Sequence, residues 1–196
     1  KIASLPEVRV ISPYMEGKAL MAIEGSDNEV VDVKGVQRDV FFQLVDIEES
    51  ISSGVFDVSV RNRKPGIIVH DELKNRLGLR VGDEMALLSA AGMQNALTQI
   101  TVPRTYRFDL RGSYFLQQIV GGPKVFVDME AAQRLFRARN QISGLDIKLH
   151  DNDEANQVKK ELTAMLGPDF EISTWYDLQK PLYDVMLLEK WGSFII

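Results

Sequence analysis

The chain has 196 residues, of which 45% are hydrophobic and 26% charged, a composition typical of globular proteins. Its length suits one sizeable domain or two small ones. A net charge of −5 argues against nucleic-acid binding, because nucleic-acid-binding domains usually have a basic surface. The absence of cysteine excludes disulfides, thiolate metal sites and thiol nucleophiles together.

Both ends of the sequence are abrupt. The chain begins at Lys1 without an initiator Met or a signal peptide, and it closes on the apolar residues 194–196. We therefore expect it to be a segment of a longer protein. No window contains 18 consecutive apolar residues, so no complete membrane helix is predicted within the chain.

The stretch 182–196 has two interpretations. Trp191 beside Lys190, before a mostly apolar run that contains Phe194, is typical of a membrane-interface anchor. Apolar residues also recur at helical spacing from Leu182, which predicts an amphipathic helix that packs on the domain core. The residues leave both interpretations open.

The first 36 residues are predicted to be mostly β. Strands are expected near 8–12, 18–23 and 29–36, separated by turns at 13–17 and 25–28. No short-period repeat is present.

The middle of the chain is less uniform. Residues 38–54 predict a helix or helical turn that Gly54 ends. Residues 66–69 predict a short buried strand. Residues 90–103 are small and polar without a clear period, which predicts an exposed loop or the two arms of a long hairpin. A strand over 104–114 should follow.

A short helix is expected between the first and second strands of this middle region. Asp71 is predicted to cap it and Gly78 to end it near Leu77, before a turn and a strand at 84–89.

The second half predicts the order β-α-β-α-β, which with the first half gives an α+β fold. A strand and a helix are expected across 123–136, with Asp128 as the N-cap. A second strand should lead to a helix that opens at Asp151 or Asp153 and ends at Gly167, before a last strand. The residues that this helix should bury are Ala155, Val158, Leu162 and Leu166.

No stretch predicts an active site or a nucleotide site. The glycines of GLRVGD (78–83) end a helix and begin a strand, whereas a phosphate loop feeds a helix N-terminus. GGPK (121–124) lacks the Walker pattern, and no Gly-x-Ser-x-Gly elbow occurs. We expect no catalytic residue and no cofactor.

The two histidines do not predict a metal site. His70 precedes two carboxylates, but adjacent residues do not share a helix face, and Asp71 is expected to cap a helix. His150 precedes an acidic run that lacks the glycine and the spaced glutamate of a calcium loop. Neither histidine has a zinc-ligand spacing.

Five stretches, in this order, resemble the extracytoplasmic domain of lipoprotein-releasing ABC-transporter permeases, the LolC/LolE type of the MacB/FtsX superfamily. They are VRVISPYMEGKALM, GIIVHDELKNRLGLRVGDEMALLS, VFVDMEAAQRLF, SGLDIKLHDNDEANQVKKELTAMLGPDFEISTW and LLEKWGSFII. The resemblance covers nearly the whole chain. It implies a periplasmic domain of an inner-membrane protein, placed between the first and second membrane helices.

The resemblance also implies two subdomains. A β-α-β-rich Porter subdomain would comprise residues 1–47 and 118–190, and an inserted, mostly β Sabre subdomain residues 48–117. Residues 191–196 would begin the second membrane helix.

In LolC-type members a protruding Sabre hairpin, the hook, recruits the soluble lipoprotein carrier LolA. The matching segment here is 90–103, and the carrier-binding residues that the resemblance implies are Met93, Gln94, Asn95, Ala96, Leu97, Thr98, Gln99 and Ile100. Met93 and Leu97 would insert into the carrier; local packing of these side chains is the alternative. The segment lacks the proline expected near a hook tip, apart from Pro103, so a LolE-like subunit stays open.

The implied function is release of lipoproteins from the inner membrane and their transfer to a periplasmic carrier. The implied partners are an ATPase subunit, which would hydrolyse ATP, a second permease subunit, a LolA-type carrier and the lipoprotein. The domain itself would be non-catalytic. The alternatives are a MacB-like exporter that couples to a periplasmic adaptor, an FtsX-like regulator of a cell-wall hydrolase, and a soluble α+β enzyme.

Overall fold

The structure is a computed structural model. It describes residues 2–23, 25, 27–45, 47–89, 105–116 and 124–178. The chain divides into two compact units, a smaller one of residues 1–9, 118–122 and 148–196, and a larger one of residues 10–117 and 123–147.

Nine strands of the described residues form one mixed sheet. They are β1 (Val8–Ile23), β2 (Glu29–Val36), β3 (Ile51–Gly54), β4 (Val60–Arg61), β5 (Lys64–His70), β6 (Glu84–Ser89), β7 (Tyr106–Tyr114), β8 (Lys124–Asp128) and β9 (Gly144–Leu149). Strand β5 pairs with both β7 and β8, so that β7, β6, β1, β2, β8 and β5 close into a six-stranded ring. Strands β3, β4 and β9 add to β7, β5 and β1. The mixed α+β class expected from the sequence is confirmed.

The ring takes strands from both of the subdomains that the resemblance implies. Strands β1, β2 and β8 lie in 1–47 and 118–190, whereas β5, β6 and β7 lie in 48–117. The Porter and Sabre boundaries at these positions stay a prediction.

The main hydrophobic core lies where the six ring strands face one another. Side chains alternate along a strand, so every second residue of each ring strand contributes to this core. The contributing strand residues are Met15, Ala19, Met21, Val31, Val33, Ile67, Val69, Met85, Leu87, Phe108, Leu110, Val125 and Val127.

Three helices of the larger unit pack against the sheet, two of them on that core. They are α1 (Arg38–Leu44), α2 (Asp71–Arg76) and α3 (Met129–Leu135). Helix α3 adds Ala132 and Leu135 to the core, and α2 adds Leu73. Helix α3 begins at the predicted cap, since the Asp128 carboxylate accepts a hydrogen bond from the Glu130 amide at 3.0 Å.

Two glycines let α3 approach the sheet. A Cβ built on Gly35 of β2 would lie 2.3 Å from the Cβ of Ala132, and one built on Gly17 of β1 would lie 2.8 Å from the Phe136 ring. Both distances are shorter than carbon atoms tolerate. The helix therefore rests on the place where two adjacent strands lack side chains.

A second, aromatic cluster covers the opposite face of β8. Phe126 points away from the core that its neighbours in sequence enter, and its ring lies 5.2 Å from those of Phe41 and Tyr114 and 5.8 Å from that of Phe56. The buried Tyr114 hydroxyl donates to the Lys124 carbonyl at 2.7 Å, and burial raises the pKa of Tyr114 to about 12. Helix α1 supplies Phe41 and so covers this face.

The smaller unit contains helix α4 (Ala155–Leu166). It buries Val158 and Leu162 as predicted, whereas Ala155 and Leu166 are only half-buried. Lys159 Nζ donates to Asp177 Oδ2 at 2.8 Å. Throughout the described ranges, no helix has the length and apolar character needed to cross a membrane.

Four predicted elements are wrong. The helix or helical turn expected over 38–54 does not reach Gly54, because residues 51–54 form strand β3. The turn at 13–17 does not exist, because β1 is continuous from Val8 to Ile23. Pro13 precedes the residues of β1 that pair with β2, which begin at Tyr14, so its missing N–H leaves that ladder intact. Gly17 marks the close approach of Phe136 and not a turn.

The other two errors concern a cap and a strand. His70, and not Asp71, caps α2, since its Nδ1 accepts from the Glu72 amide at 3.3 Å. The last predicted strand is absent, because residues 171–174 have no regular structure and residues 175–178 are helical. The predicted strand at 84–89 and the glycine end of α2, where Gly78 has a φ of 65°, are confirmed.

Candidate partner-binding site

The residues that the sequence proposes for binding fall outside the described ranges. This holds for the carrier-binding residues 93–100 and for Lys190, Trp191 and Phe194. The structure therefore neither brings them together nor separates them. It does describe the strands on either side of the 90–103 segment.

Those two strands hold the ends of the segment side by side. Strand β6 ends at Ser89 and β7 begins at Tyr106. The strands are antiparallel neighbours, with Leu87 opposite Tyr106 and Glu84 opposite Asp109. The intervening residues thus connect two adjacent antiparallel strands, which is the topology of a β-hairpin.

A second hairpin lies at the same end of the sheet. Strands β5 and β7 are parallel, with Gly66 opposite Asp109, so β5 begins at the end where β7 begins and β6 finishes. Strands β4 and β5 form a hairpin whose two loop residues are Asn62 and Arg63. We call the end of the sheet that carries this hairpin and the ends of the 90–103 segment the loop-bearing end.

An ionic network connects the beginnings of β5, β6 and β7. Glu84 of β6 accepts hydrogen bonds from Lys64 of β5 and Arg107 of β7. These bonds, the one from Lys64 first, lower the pKa of Glu84. Lys64 Nζ also lies 3.8 Å from Asp109 Oδ1. The carboxylates of Glu84 and Asp109 therefore neutralise the positive charges of Lys64 and Arg107.

A buried arginine anchors the β4–β5 hairpin. Arg111 Nη1 donates to Asp57 Oδ2 at 3.0 Å and to the Ser59 carbonyl at 2.7 Å, while its Nη2 donates to the Lys64 carbonyl at 3.2 Å. The side chains of Arg111 and Asp57 are only 10% and 12% exposed. Arg61 pairs with the same Asp57 oxygen at 2.6 Å.

The Asp57 carboxylate stays charged in this network. Burial raises its pKa, but hydrogen bonds from Ser59 and the positive charges of Arg111 and Arg61 outweigh burial and lower the pKa overall. A charged Asp57 keeps both arginines bound. The Arg111–Asp57 pair joins β7 to the residues before β4.

His70, which precedes two carboxylates in the sequence, is held by contacts within the fold. Its Nδ1 is taken by the Glu72 amide, and its ring lies edge-on to Tyr114 at 5.2 Å. Its buried Nε2 has no hydrogen-bond partner within the part of the chain that the structure describes. Ser52 Oγ donates to Asp71 Oδ1 at 2.6 Å and not to the imidazole.

Metal ligation finds no support in the described ranges either. Across them, no group of three or more His, Asp or Glu side chains is placed to hold a metal ion.

Sequence reasoning missed the β4–β5 hairpin and its anchor. A signal was available, because Asn62 begins a two-residue break between short β-like runs. Nothing in the sequence marks Arg111 as buried, since arginine is usually exposed and its partners lie about 50 residues away.

Solved structures define the class of fold. The extracellular domain of the noncanonic ABC-type transporter YknZ from Gram-positive bacteria superposes with a TM-score of 0.52 at 10% identity, covering 84% of this chain and 78% of that one. The periplasmic region of MacB from Actinobacillus actinomycetemcomitans gives 0.52 at 11% identity, covering 84% and 69%. The fold is that of the extracytoplasmic domain of MacB-type ABC transporters.

The sequence relatives are more specific. The chain is 29% identical over 191 residues to the lipoprotein-releasing system transmembrane protein LolC of Xylella fastidiosa, in strains Temecula1 and 9a5c alike. The alignment covers 94% of this chain and 44% of each relative, so the chain spans less than half the length of these proteins. No family model matches the chain. The resemblance to LolC-type permeases that the sequence motifs indicate is confirmed.

Proposed function

We propose that this chain is the periplasmic domain of an inner-membrane ABC-transporter permease that releases lipoproteins and passes them to a periplasmic carrier. The observation that carries the proposal is the similarity to LolC along 94% of the chain. The MacB-type fold supports the same placement outside the cytoplasm. In this arrangement a separate ATPase subunit hydrolyses ATP, a second permease subunit completes the transporter, and the domain itself is non-catalytic.

The 90–103 segment is the proposed binding site for a LolA-type carrier. Two observations support this assignment. The segment connects adjacent antiparallel strands, as a hook must, and it contains the apolar residues Met93 and Leu97 among small and polar ones. Apolar side chains at the tip of a hairpin can insert into a partner's groove, with polar neighbours at the rim.

The C-terminal residues belong to the same proposal. Lys190, Trp191 and Phe194 would lie at the membrane interface, where an indole ring and a lysine ammonium can both reach the lipid headgroups. The following apolar residues would then enter the bilayer.

The proposal predicts that carrier binding depends on Met93 and Leu97. The purified domain should bind the carrier of the same organism with a micromolar or lower Kd in biolayer interferometry, and Met93→Asp with Leu97→Asp should abolish binding, because charged groups cannot enter an apolar groove without a large desolvation cost.

Val30→Asp is the matched control for this experiment. Val30 is an apolar side chain of β2 that is 64% exposed, so the substitution places an aspartate elsewhere on the surface, with one added negative charge against the two of the double variant. It should leave the Kd unchanged. Equal Kd values for the wild-type domain, the Met93→Asp/Leu97→Asp variant and Val30→Asp would mean that the 90–103 segment does not bind the carrier. A folded wild-type domain without any binding would favour a LolE-like subunit or a MacB-like exporter.

A further inference from the structure

The β4–β5 hairpin carries an arginine where glycine is preferred. Its loop residues Asn62 and Arg63 have φ of 51° and 66°, the left-handed values that a two-residue hairpin turn requires. Asparagine tolerates this conformation, whereas an arginine there carries steric strain that glycine avoids. Strain of this kind is often retained where the side chain has a function.

The Arg63 side chain has no structural role in the described part of the chain. It is exposed, and among the described residues it makes no hydrogen bond and no ion pair, in contrast to its neighbours Arg61 and Lys64. Val60, on the first strand of the same hairpin, is 54% exposed. The hairpin therefore presents a guanidinium without a partner among the described residues and an exposed apolar side chain, two features typical of protein interfaces.

The hairpin is held in a fixed position. Arg111 binds the backbone carbonyls of Ser59 and Lys64 on its two sides. At Gly66 the strand passes so close to the Asp57 carbonyl that a Cβ would lie 2.0 Å from that oxygen. A contact surface that is rigid before binding loses little entropy on association.

The hairpin also stands at the loop-bearing end, where β6 finishes and β7 begins. We propose that Val60 and Arg63 form a second contact for the protein that the 90–103 segment recruits, and that Arg63 binds an acidic patch on that protein. This inference rests on the proposed function. Because both elements emerge from the same end of one sheet, a single partner can touch both.

Arg63→Gly separates an interface role from a structural one. Glycine is the residue that the backbone prefers here, so the melting temperature should not fall, but the Kd for the purified carrier should rise about 3- to 10-fold. The loss should lie mainly in the association rate and should shrink as salt is raised, as expected for an exposed charge. Arg63→Glu should have a larger effect, because it repels the acidic patch.

Arg137→Gly is the matched control. Arg137 is likewise exposed and left-handed, with a φ of 56°, but it follows helix α3. Its replacement should leave carrier binding unchanged. Unchanged binding by Arg63→Gly and Arg63→Glu, together with loss of binding by the Met93→Asp/Leu97→Asp variant, would overturn this inference and leave the proposed function intact.

Two further outcomes are decisive. If the wild-type chain does not bind the carrier, the proposed function and this inference fall together. If the Arg63 variants keep the wild-type Kd for the carrier but lose sedimentation with phosphatidylglycerol-containing vesicles, the hairpin contacts an anionic lipid surface and the inference is wrong.

Discussion

Replacing Arg111 with Met should destabilise the protein by about 3 kcal/mol, since it removes the buried partner of Asp57 and leaves the Ser59 and Lys64 carbonyls without their guanidinium donor. Arg111 holds Asp57 and the carbonyls of Ser59 and Lys64 together within a site that is about nine-tenths buried. Methionine fills a similar volume but donates no hydrogen bond. Urea unfolding followed by circular dichroism measures the change in free energy of unfolding.

Arg61→Met provides the matched comparison. Arg61 binds the same Asp57 oxygen at 2.6 Å, but its side chain is 67% exposed, so solvent screens the pair and its removal should cost less than about 1 kcal/mol. If the two methionine variants lose equal stability, the buried Arg111 network is not what holds the hairpin.

Gly35→Ala should cost about 2–3 kcal/mol, because even one methyl group collides with helix α3. The added Cβ would lie 2.3 Å from the Cβ of Ala132, and its other near neighbours are backbone atoms, among them the Met129 Cα at 3.4 Å. Relief therefore requires the helix to move away from the sheet, and overpacked cores lose stability of this size. Thermal and urea unfolding give the loss directly.

A compensating exchange tests the cause of that loss. In Gly35→Ala combined with Ala132→Gly, the methyl group moves from helix to strand and the collision disappears. The combined loss should be smaller than the sum of the two single losses, which a double-mutant cycle measures. Strict additivity would mean that the two positions do not meet as described.

The sequence predicts features that depend on a few neighbouring residues. The Asp128 cap, the glycine that ends α2 and the strand at 84–89 all follow from local signals, and the structure confirms them. The continuity of β1 could not be predicted, because Pro13 and Gly17 are also turn residues. Their tolerance in a strand depends on where β2 pairs and where Phe136 lies.

The fold as a whole could not be predicted from the sequence, because it depends on pairing between strands that are far apart in the chain. The ring closes through β5, which pairs with β7 and β8 from a distant part of the chain, and a strand pattern does not name its partners. The capping residue of α2 could not be predicted either. His70 and Asp71 are both able to accept the amide hydrogen bond, and only the direction of each side chain decides between them.

The candidate site likewise has one part that the sequence predicts and one part that it does not. The segment 90–103 stands out in sequence by its composition and by its resemblance to a hook, and the structure adds the antiparallel strands that frame it. The β4–β5 hairpin does not stand out, because its role depends on the buried Arg111 and on the parallel pairing of β5 with β7. Both features depend on contacts between distant parts of the chain.

We propose that this domain passes lipoproteins from the inner membrane to a soluble carrier. The most direct measurement adds purified LolA-type carrier to spheroplasts that make the full-length permease and follows a labelled lipoprotein into the soluble fraction. We expect carrier-dependent release with the wild-type protein, little release with Met93→Asp/Leu97→Asp, and normal release with Val30→Asp. Equal release with the Met93→Asp/Leu97→Asp variant, or none with the wild-type protein, would contradict it.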